Sequence, residues 1–379
     1  MADPAAVTSA RFKAAHATAE DWAETVKRCV EGLGDPPPGA NLGFLYATDA
    51  LAGDMASILS VLRGQTGVLH WVGSVGIGVA ASGVEYHDQP ALAVMVAALP
   101  EDAFRVFAPV TDGLGTFQAD HGTWLTERDP LFGVVHGDHR NRAIGDILSE
   151  VAAETSTFLV GGLAASRSEN PQVAETVTEG GLSGVMFAPE VAVATGLTQG
   201  CTPIGPRRSV TEAERGVVMT IDGRPALDVF KEDIGEALAQ DLRRVGGIIF
   251  AAFPIAGSDT GDYVVRNLTA IDLDKGWIAI AEDVKAGREL MFCRRDRDSA
   301  LSDLSRMVKD VKRRAGASAK AALYYSCVAR GPHLFGTDSE ELRLIRDELG
   351  DLPLAGFFGN GEISHNRLYA YTGVLAVFS

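Results

Sequence analysis

Hydrogen-bonding and charged side chains are concentrated near the end of the chain, between two apolar segments typical of strands. Six of the eight positions in residues 360–367 carry such a side chain: Asn360, Glu362, Ser364, His365, Asn366 and Arg367. Arg367 could bind a carboxylate in bidentate geometry, and Glu362 could receive an ammonium group. That pair would suit a zwitterion such as an amino acid, and the alternative is an internal ion pair that fixes the turn. We predict a binding turn, because a turn on a rigid sheet can direct several donors and acceptors at one small ligand.

A cysteine and an arginine form a second candidate at the junction of a predicted strand and a predicted helix. Cys327 lies at the end of the strand, and Arg330 follows three residues later. A nearby cation and a helix N-terminus both lower a thiol pKa, so Cys327 could be a redox or nucleophilic residue. Cys327, Glu362 or His365 could then serve an uncharacterised enzyme. The alternative is a buried cysteine that acts as a small apolar side chain.

Two further motifs resemble cofactor sites only in part. The glycines of residues 73–78 do not have the order of a phosphate-binding loop, and they precede a strand rather than a helix. We expect tight turns or a close backbone approach to a ligand there, with Gly73 and Ser74 as contacts. Residues 136–139 (His-Gly-Asp-His) lack the further histidines of a dinuclear metallohydrolase. We therefore predict a polar helix cap or turn there and no metal site.

The composition excludes several classes of partner. A net charge of −16, from 50 acidic and 34 basic residues, disfavours binding to nucleic acid or to an anionic membrane. No apolar run approaches the roughly 20 residues that span a bilayer, and the first ten residues lack the basic and apolar parts of a signal peptide. The four cysteines are far apart in the chain, without a Cys-x-x-Cys pair. We therefore expect reduced thiols in a cytoplasmic protein with no nucleic-acid or membrane partner.

The order of the predicted elements indicates an α+β fold. Apolar spacing predicts an amphipathic helix over residues 8–32, within an N-terminal helical segment 1–37. Beyond it, each half combines strands in hairpin-length succession with two or three helices, so we expect a largely antiparallel or mixed sheet packed with helices. Turn-forming residues at 200–208 predict a boundary between domains 38–205 and 206–379. No internal repeat of 20–50 residues is evident.

Several motifs, in order along the chain, resemble those of the FIST N and FIST C domains. In the N-terminal half the resemblance rests on residues 71–76, 159–164 and 196–206. In the C-terminal half it rests on residues 262–268, 280–284, 326–331 and 356–375. Residues 71–76 are similar to a glycine-rich turn of the FIST N domain. The resemblance extends from about residue 38 to the end of the sequence.

The resemblance implies a sensory domain of intracellular signal transduction that binds small ligands, with amino acids the usual suggestion. It supplies no established catalytic residues. The chain is similar to a free-standing bacterial branch, so its signal would pass to a partner such as a histidine kinase. That branch is associated with haem and nitric-oxide sensing, so a gas sensor that binds haem non-covalently is an alternative to a sensor without a cofactor. One of the eight histidines, a tyrosine or a cysteine would then be its axial ligand.

Both lines of reasoning together select a set of residues for ligand binding. The predicted ligand-binding residues are Asn360, Glu362, His365, Asn366, Arg367, Tyr369, Cys327, Arg330, Gly73, Ser74, Arg266 and Asn267.

Overall fold

The computed structural model describes residues 11–255 and 263–379, and over these residues the α+β class is confirmed. The described chain divides into two compact units. The first comprises residues up to Thr198 together with Asp303–Leu368 and Thr372–Ser379, and the second comprises Gln199–Ser302 and Tyr369–Tyr371. The division at residues 205 and 206 stays a prediction, since the compact units group the residues differently.

Three six-stranded sheets form the first unit. The first sheet has the order β1 (Arg11–Thr18), β6 (Ala91–Ala98), β2 (Leu42–Thr48), β3 (His70–Gly76), β10 (Gln172–Ala174) and β11 (Thr176–Thr178). The second has the order β7 (Phe104–Val110), β12 (Leu182–Phe187), β8 (Phe132–Gly137), β9 (Phe158–Leu163), β24 (Glu362–Ser364) and β25 (Arg367–Tyr369). The third has the order β13 (Val193–Gln199), β26 (Thr372–Phe378), β22 (Ala321–Cys327), β23 (Leu354–Gly359), β4 (Gly78–Ala81) and β5 (Val84–His87).

The three sheets repeat one topology. Each has a central parallel pair, β2–β3, β8–β9 or β22–β23, with an antiparallel strand beside its first member. The hairpin that follows each parallel pair leaves its own sheet: β4–β5 joins the third sheet, β10–β11 the first and β24–β25 the second. Each sheet is therefore completed by a hairpin from another repeat. Equivalent strands of the repeats are much further apart in the chain than the periods considered in the sequence, which is why those shorter periods do not reveal the repeat.

Helices cover the outer face of each sheet, and the inner faces share one core. The helices of the first unit are α1 (Trp22–Leu33), α2 (Met55–Thr66), α3 (Gly115–Arg128), α4 (Ile144–Thr155), α7 (Arg297–Ala315), α8 (Pro332–Phe335) and α9 (Glu340–Leu349). Short 3-10 turns lie at Asp49–Asp54 and Gly316–Ser318. Apolar residues of all three sheets form the shared core, and separate clusters lie under α1–α2, α3–α4 and α7–α9.

The first strand of each parallel pair places its fifth residue in this shared core: Tyr46 in β2, His136 in β8 and Tyr325 in β22. The hydroxyl groups of Tyr46 and Tyr325 are 2.7 Å apart, and Nε2 of His136 lies 3.2 Å from the Tyr46 hydroxyl. Burial lowers the pKa of His136 to about 3, so this side chain is neutral at ordinary pH. His136 is therefore part of the core rather than of the polar turn that the sequence predicts for residues 136–139.

The second unit contains one antiparallel sheet. Its strands are β14 (Cys201–Pro203), β15 (Arg208–Glu214), β16 (Val217–Ile221), β17 (Arg224–Pro225), β18 (Ile249–Pro254), β19 (Tyr263–Asp272), β20 (Trp277–Ile280) and β21 (Glu289–Arg295). The ladder closes on itself, because β21 pairs with both β15 and β18. Helices α5 (Ala226–Ile234) and α6 (Glu236–Ala239) and a 3-10 turn (Leu242–Arg244) follow β17, and α5 contributes to the apolar core of this unit.

The predicted N-terminal helix is wrong over residues 11–18. These residues form β1, which pairs with β6 along its whole length, so tertiary pairing overrides the helical spacing of their apolar side chains. The helix begins at Trp22, because the carboxylate of Asp21 accepts a hydrogen bond from the Glu24 amide and caps it. Residues 1–10 of the predicted segment lie outside the described residues.

Candidate functional site

A buried ion pair follows the end of β22. Arg330 lies in the loop between β22 and α8, and Glu341 lies in the first turn of α9; their side chains are 1% and 0% exposed. Nε of Arg330 donates to Oε1 of Glu341 over 2.8 Å, and Nη2 lies 2.8 Å from the same oxygen. Although burial opposes the charged form, the neighbouring Glu341 holds the pKa of Arg330 above its ordinary range. Arg330 is therefore a permanent buried cation.

The Glu341 carboxylate is well supplied with donors. The Tyr324 hydroxyl donates to it over 2.5 Å, the Ser326 hydroxyl lies 3.2 Å from each oxygen, and the Gly331 amide donates over 3.1 Å. Arg330 has few acceptors by comparison, since neither Nη1 nor Nη2 makes a well-directed hydrogen bond within the described part of the chain. The Phe335 ring lies 5.0 Å from the guanidinium and offers a cation–π contact. The guanidinium thus has unused donors inside the protein.

A second buried carboxylate lies at the start of β24. Glu362 is 1% exposed, and one of its oxygens, Oε2, accepts hydrogen bonds from the Thr372 amide and hydroxyl over 3.2 and 2.8 Å. The other oxygen, Oε1, has no hydrogen-bond partner among the described residues. Burial raises the pKa of Glu362 to about 8, against the opposing effects of Thr372, Arg330 and Cys327. Glu362 therefore holds a proton at neutral pH.

The two predicted motifs converge at this point. The Cys327 thiol and the Arg330 charge both lower the pKa of Glu362, and the charge of Glu362 in turn raises the pKa of Arg330. The convergence follows from the parallel pairing of β22 with β23, which ends at Cys327 opposite Gly359. The polar segments that follow the two strands consequently begin at the same edge of the sheet.

The repeated topology shows that Glu362 differs from its counterparts. In the other two repeats, the position that Glu362 occupies in its hairpin is taken by Val79 in β4 and by Gln172 in β10. Both ends of the Gln172 amide are paired, because its nitrogen donates to the Gly181 carbonyl and its oxygen accepts from Ser183. Glu362 thus occupies a position that an apolar or paired side chain fills elsewhere. The fold therefore does not require an unpaired carboxylate oxygen at this position.

Two residues that the sequence analysis did not single out also border the Arg330 loop. The side chain of Glu85 in β5 is 2% exposed, and Oε2 lies 3.2 Å from Nε2 of His87. A Cβ atom on Gly331 would lie 3.1 Å from that same oxygen and 3.4 Å from the His87 ring. These two residues, like Glu341, carry no local sequence signal, because β5 and the first turn of α9 are ordinary places for polar side chains.

The rest of the predicted binding turn lies away from Glu362. The β24–β25 hairpin runs along β9, so the turn at His365 and Asn366 lies about 10 Å further along the strand. The His365 amide donates to the Leu159 carbonyl, and its exposed ring stacks on Phe158 with ring centroids 5.3 Å apart. His365 is therefore not brought to Cys327.

Arg367 has an exposed side chain on the same hairpin, whereas Glu362 is buried. Oε2 of Glu362 accepts its hydrogen bonds from Thr372. The internal ion pair considered for the turn, between Glu362 and Arg367, is absent from the described residues.

The remaining predicted site residues are distributed over both units. Gly73 and Ser74 lie within buried strand β3 rather than in a turn, so the glycine-rich turn predicted there is wrong. Asn360 is exposed beside this edge of the third sheet. Arg266 and Asn267 belong to the second unit, where Arg266 pairs with Glu282 at 2.8 Å and Asn267 accepts a hydrogen bond from Tyr371. Tyr369 also belongs to that unit, and residue 262 of the motif at 262–268 lies outside the described residues.

Neither a metal cluster nor a membrane-spanning helix is present in residues 11–255 and 263–379. No group of three or more His, Cys, Asp or Glu side chains there is arranged to hold a metal ion. Asp138 pairs instead with Arg140, and Nδ1 of His139 lies 3.0 Å from the Ala164 carbonyl oxygen. Among the same residues, no helix is long and apolar enough to cross a bilayer.

Comparison with known proteins identifies the family. An uncharacterized protein of Mycobacterium tuberculosis strain H37Rv is 27% identical over 367 residues, which cover 91% of this chain and 92% of that protein. An uncharacterized protein of Mycobacterium bovis is 35% identical over 192 residues, covering 48% of this chain and 49% of that protein. Residues 41–224 match the FIST N domain, and residues 226–365 match the FIST C domain. The chain therefore belongs to the FIST family, whose domains act in sensing and signal transduction.

Proposed function

We propose that this protein is a cytoplasmic sensor that binds a small zwitterionic ligand, such as an amino acid, between Arg330 and Glu362. The observation that carries the proposal is the pair of unused hydrogen-bonding groups inside the first unit. Nη1 of Arg330 and Oε1 of Glu362 are both buried, and neither has a hydrogen-bond partner among the described residues. The role first considered for Arg367 passes to Arg330, because Arg330 is buried beside Glu362 whereas Arg367 is exposed.

Burial makes these unused groups costly. A buried donor or acceptor that lacks a partner costs about 1–3 kcal/mol, and more when the group is charged. A zwitterion would supply both partners at once, since its carboxylate accepts from the guanidinium and its ammonium donates to the glutamate. Ligand binding would thereby remove the free-energy cost of leaving these buried groups unpaired.

The burial of both groups away from solvent supports a signalling role. Nη1 of Arg330 and Oε1 of Glu362 are shielded from solvent, so a ligand reaches them only after residues 328–331 or the β24–β25 hairpin move. In our proposal the ligand selects this opened arrangement, and a separate protein such as a histidine kinase recognises it. The shift in population can be no larger than the difference in ligand affinity between the two arrangements.

Isothermal titration calorimetry against the twenty common amino acids tests this function. We expect at least one to bind the full chain, and we expect Arg330→Lys and Glu362→Gln each to weaken binding about tenfold or more. Both substitutions keep a polar partner for Glu341 and for Thr372. Arg367→Gln, on the exposed part of the hairpin, is the matched control and should bind as the wild type does. Failure of every amino acid to bind, or loss of binding only in Arg367→Gln, would contradict the proposal.

A further inference from the structure

Glu85 provides a third buried carboxylate beside the Arg330 loop. Its Oε2 faces Nε2 of His87, whereas Oε1 has no hydrogen-bond partner within the part of the chain that the structure describes. The His87 ring packs on Phe358, with ring centroids 4.6 Å apart. A Cβ atom added to Gly331 would lie 3.1 Å from Oε2 of Glu85. The carboxylate therefore lies directly against the backbone next to Arg330.

The buried carboxyl groups of this region outnumber its buried guanidinium groups. Glu341 and Glu362 act on the charge of the Arg330 guanidinium, and Glu341 occupies the edge of that cation which forms hydrogen bonds. Glu85 lies against Gly331, the next residue in the chain. The charge of Glu341 also acts unfavourably on Glu85. His87 faces only one of the two Glu85 oxygens. A cluster of this composition favours a ligand that carries more positive than negative charge.

We infer that the ligand is an α-amino acid with a cationic side chain, whose side-chain ammonium or guanidinium binds Oε1 of Glu85. This inference rests on the proposed function and adds the ligand class to it. Arg330 receives the ligand carboxylate, Glu362 the α-ammonium group and Glu85 the distal cation. Each of these three buried groups then has a partner of complementary charge. A neutral amino acid would leave Oε1 of Glu85 without one.

Calorimetric titration of the full chain with lysine and with norleucine tests the inference, because norleucine has the same carbon chain without the distal ammonium. We expect lysine to bind about tenfold or more tightly than norleucine. In Glu85→Gln this preference should fall to within about twofold. Circular dichroism melting of Glu85→Gln checks that the variant folds.

A length series on the wild type provides a test that needs no variant. Ornithine and lysine both carry two ammonium groups at neutral pH and differ by one methylene between them, so a fixed Glu85 should favour one length over the other. Equal binding of lysine and norleucine to the wild type would overturn the inference and leave the proposed function standing. A preference for lysine that persists in Glu85→Gln would also overturn it. Binding by none of these amino acids, nor by any other, would instead defeat the proposed function itself.

Discussion

Gly356 lies so close to the carbonyl oxygen of Tyr324 that an ideal Cβ atom on it would be 1.7 Å from that oxygen. The same approach recurs in the other two parallel pairs: Gly73 with the oxygen of Leu45 at 1.8 Å, and Gly161 with the oxygen of Val135 at 1.8 Å. Real Cβ atoms do not approach backbone oxygens this closely. The three glycines therefore allow the paired strands to pack, and they are the clearest mark of the repeat in the sequence.

Alanine at Gly356 should destabilise the protein strongly, because its methyl group would have to displace the backbone of β22. We expect the free energy of unfolding to fall by about 3 kcal/mol or more, as for other severe overpacking in a core. Urea denaturation followed by circular dichroism measures the change. Gly64→Ala is the control, since this glycine lies in α2 and an ideal Cβ atom on it meets nothing within 4 Å among the described residues; it should raise stability by up to about 1 kcal/mol. Similar losses in both variants would contradict the steric explanation.

The sequence predicts where the strands and helices of this fold lie better than it predicts which strands pair. Continuous apolar runs indicate β6 and β26 directly, but nothing local shows that β4 pairs with β23, which lies near the other end of the chain. The same limit explains the error in β1, whose apolar spacing fits a helix until its pairing with β6 is known. Pairing between distant segments depends on tertiary contacts, which local periodicity does not contain.

The candidate site shows a similar division. Cys327, Arg330 and Glu362 could be proposed from the sequence, because polar residues at glycine-rich strand ends are typical of binding sites. The burial of Arg330 and Glu362 could not be proposed, and burial is what separates Glu362 from Arg367. Glu85 reaches the region only through hairpin exchange between repeats, so no spacing along the chain relates it to Arg330.

Removal of the Glu341 charge should be far more damaging than removal of an exposed charge nearby. Glu341→Gln leaves Arg330 as a buried cation without its counterion, which typically costs about 3–5 kcal/mol. Denaturant titration at pH 7 should show this loss in the free energy of unfolding. Asp338→Asn, an exposed acidic residue just before α9, should change stability by less than about 0.5 kcal/mol. Equal effects of the two substitutions would show that the buried pair is not needed for stability.

The raised pKa of Glu362 should make the ligand-free protein less stable as the pH rises. The ordinary pKa of a glutamate is 4.5, and that of Glu362 in the folded chain is about 8. Between these values the folded state holds a proton that the unfolded state releases, so unfolding becomes easier with increasing pH, by at most about 1.4 kcal/mol per pH unit from this group. At pH values above the folded-state pKa, the contribution should level off.

Glu362→Gln isolates this effect, because a glutamine cannot lose a proton and Gln172 already occupies the equivalent position of another repeat. The free energy of unfolding of the variant should therefore vary less between about pH 5 and 8 than that of the wild type, and the two curves should separate as the pH rises. Identical pH profiles would show that Glu362 does not hold the proton.

Ligand binding should release this same proton. In the ligand-free protein Glu362 is protonated at neutral pH, whereas the ligand ammonium requires the ionised carboxylate. Binding to the wild type should thus release close to one proton, and the affinity should rise by up to about tenfold per pH unit from about pH 6 to 8 before levelling off. Calorimetry in phosphate and in Tris buffer measures the release, since the two buffers take up protons with different enthalpies. The exposed-site control Arg367→Gln should release the same proton as the wild type, and Glu362→Gln should release none. Binding enthalpies that do not depend on the buffer would mean that the ammonium group is bound by another residue.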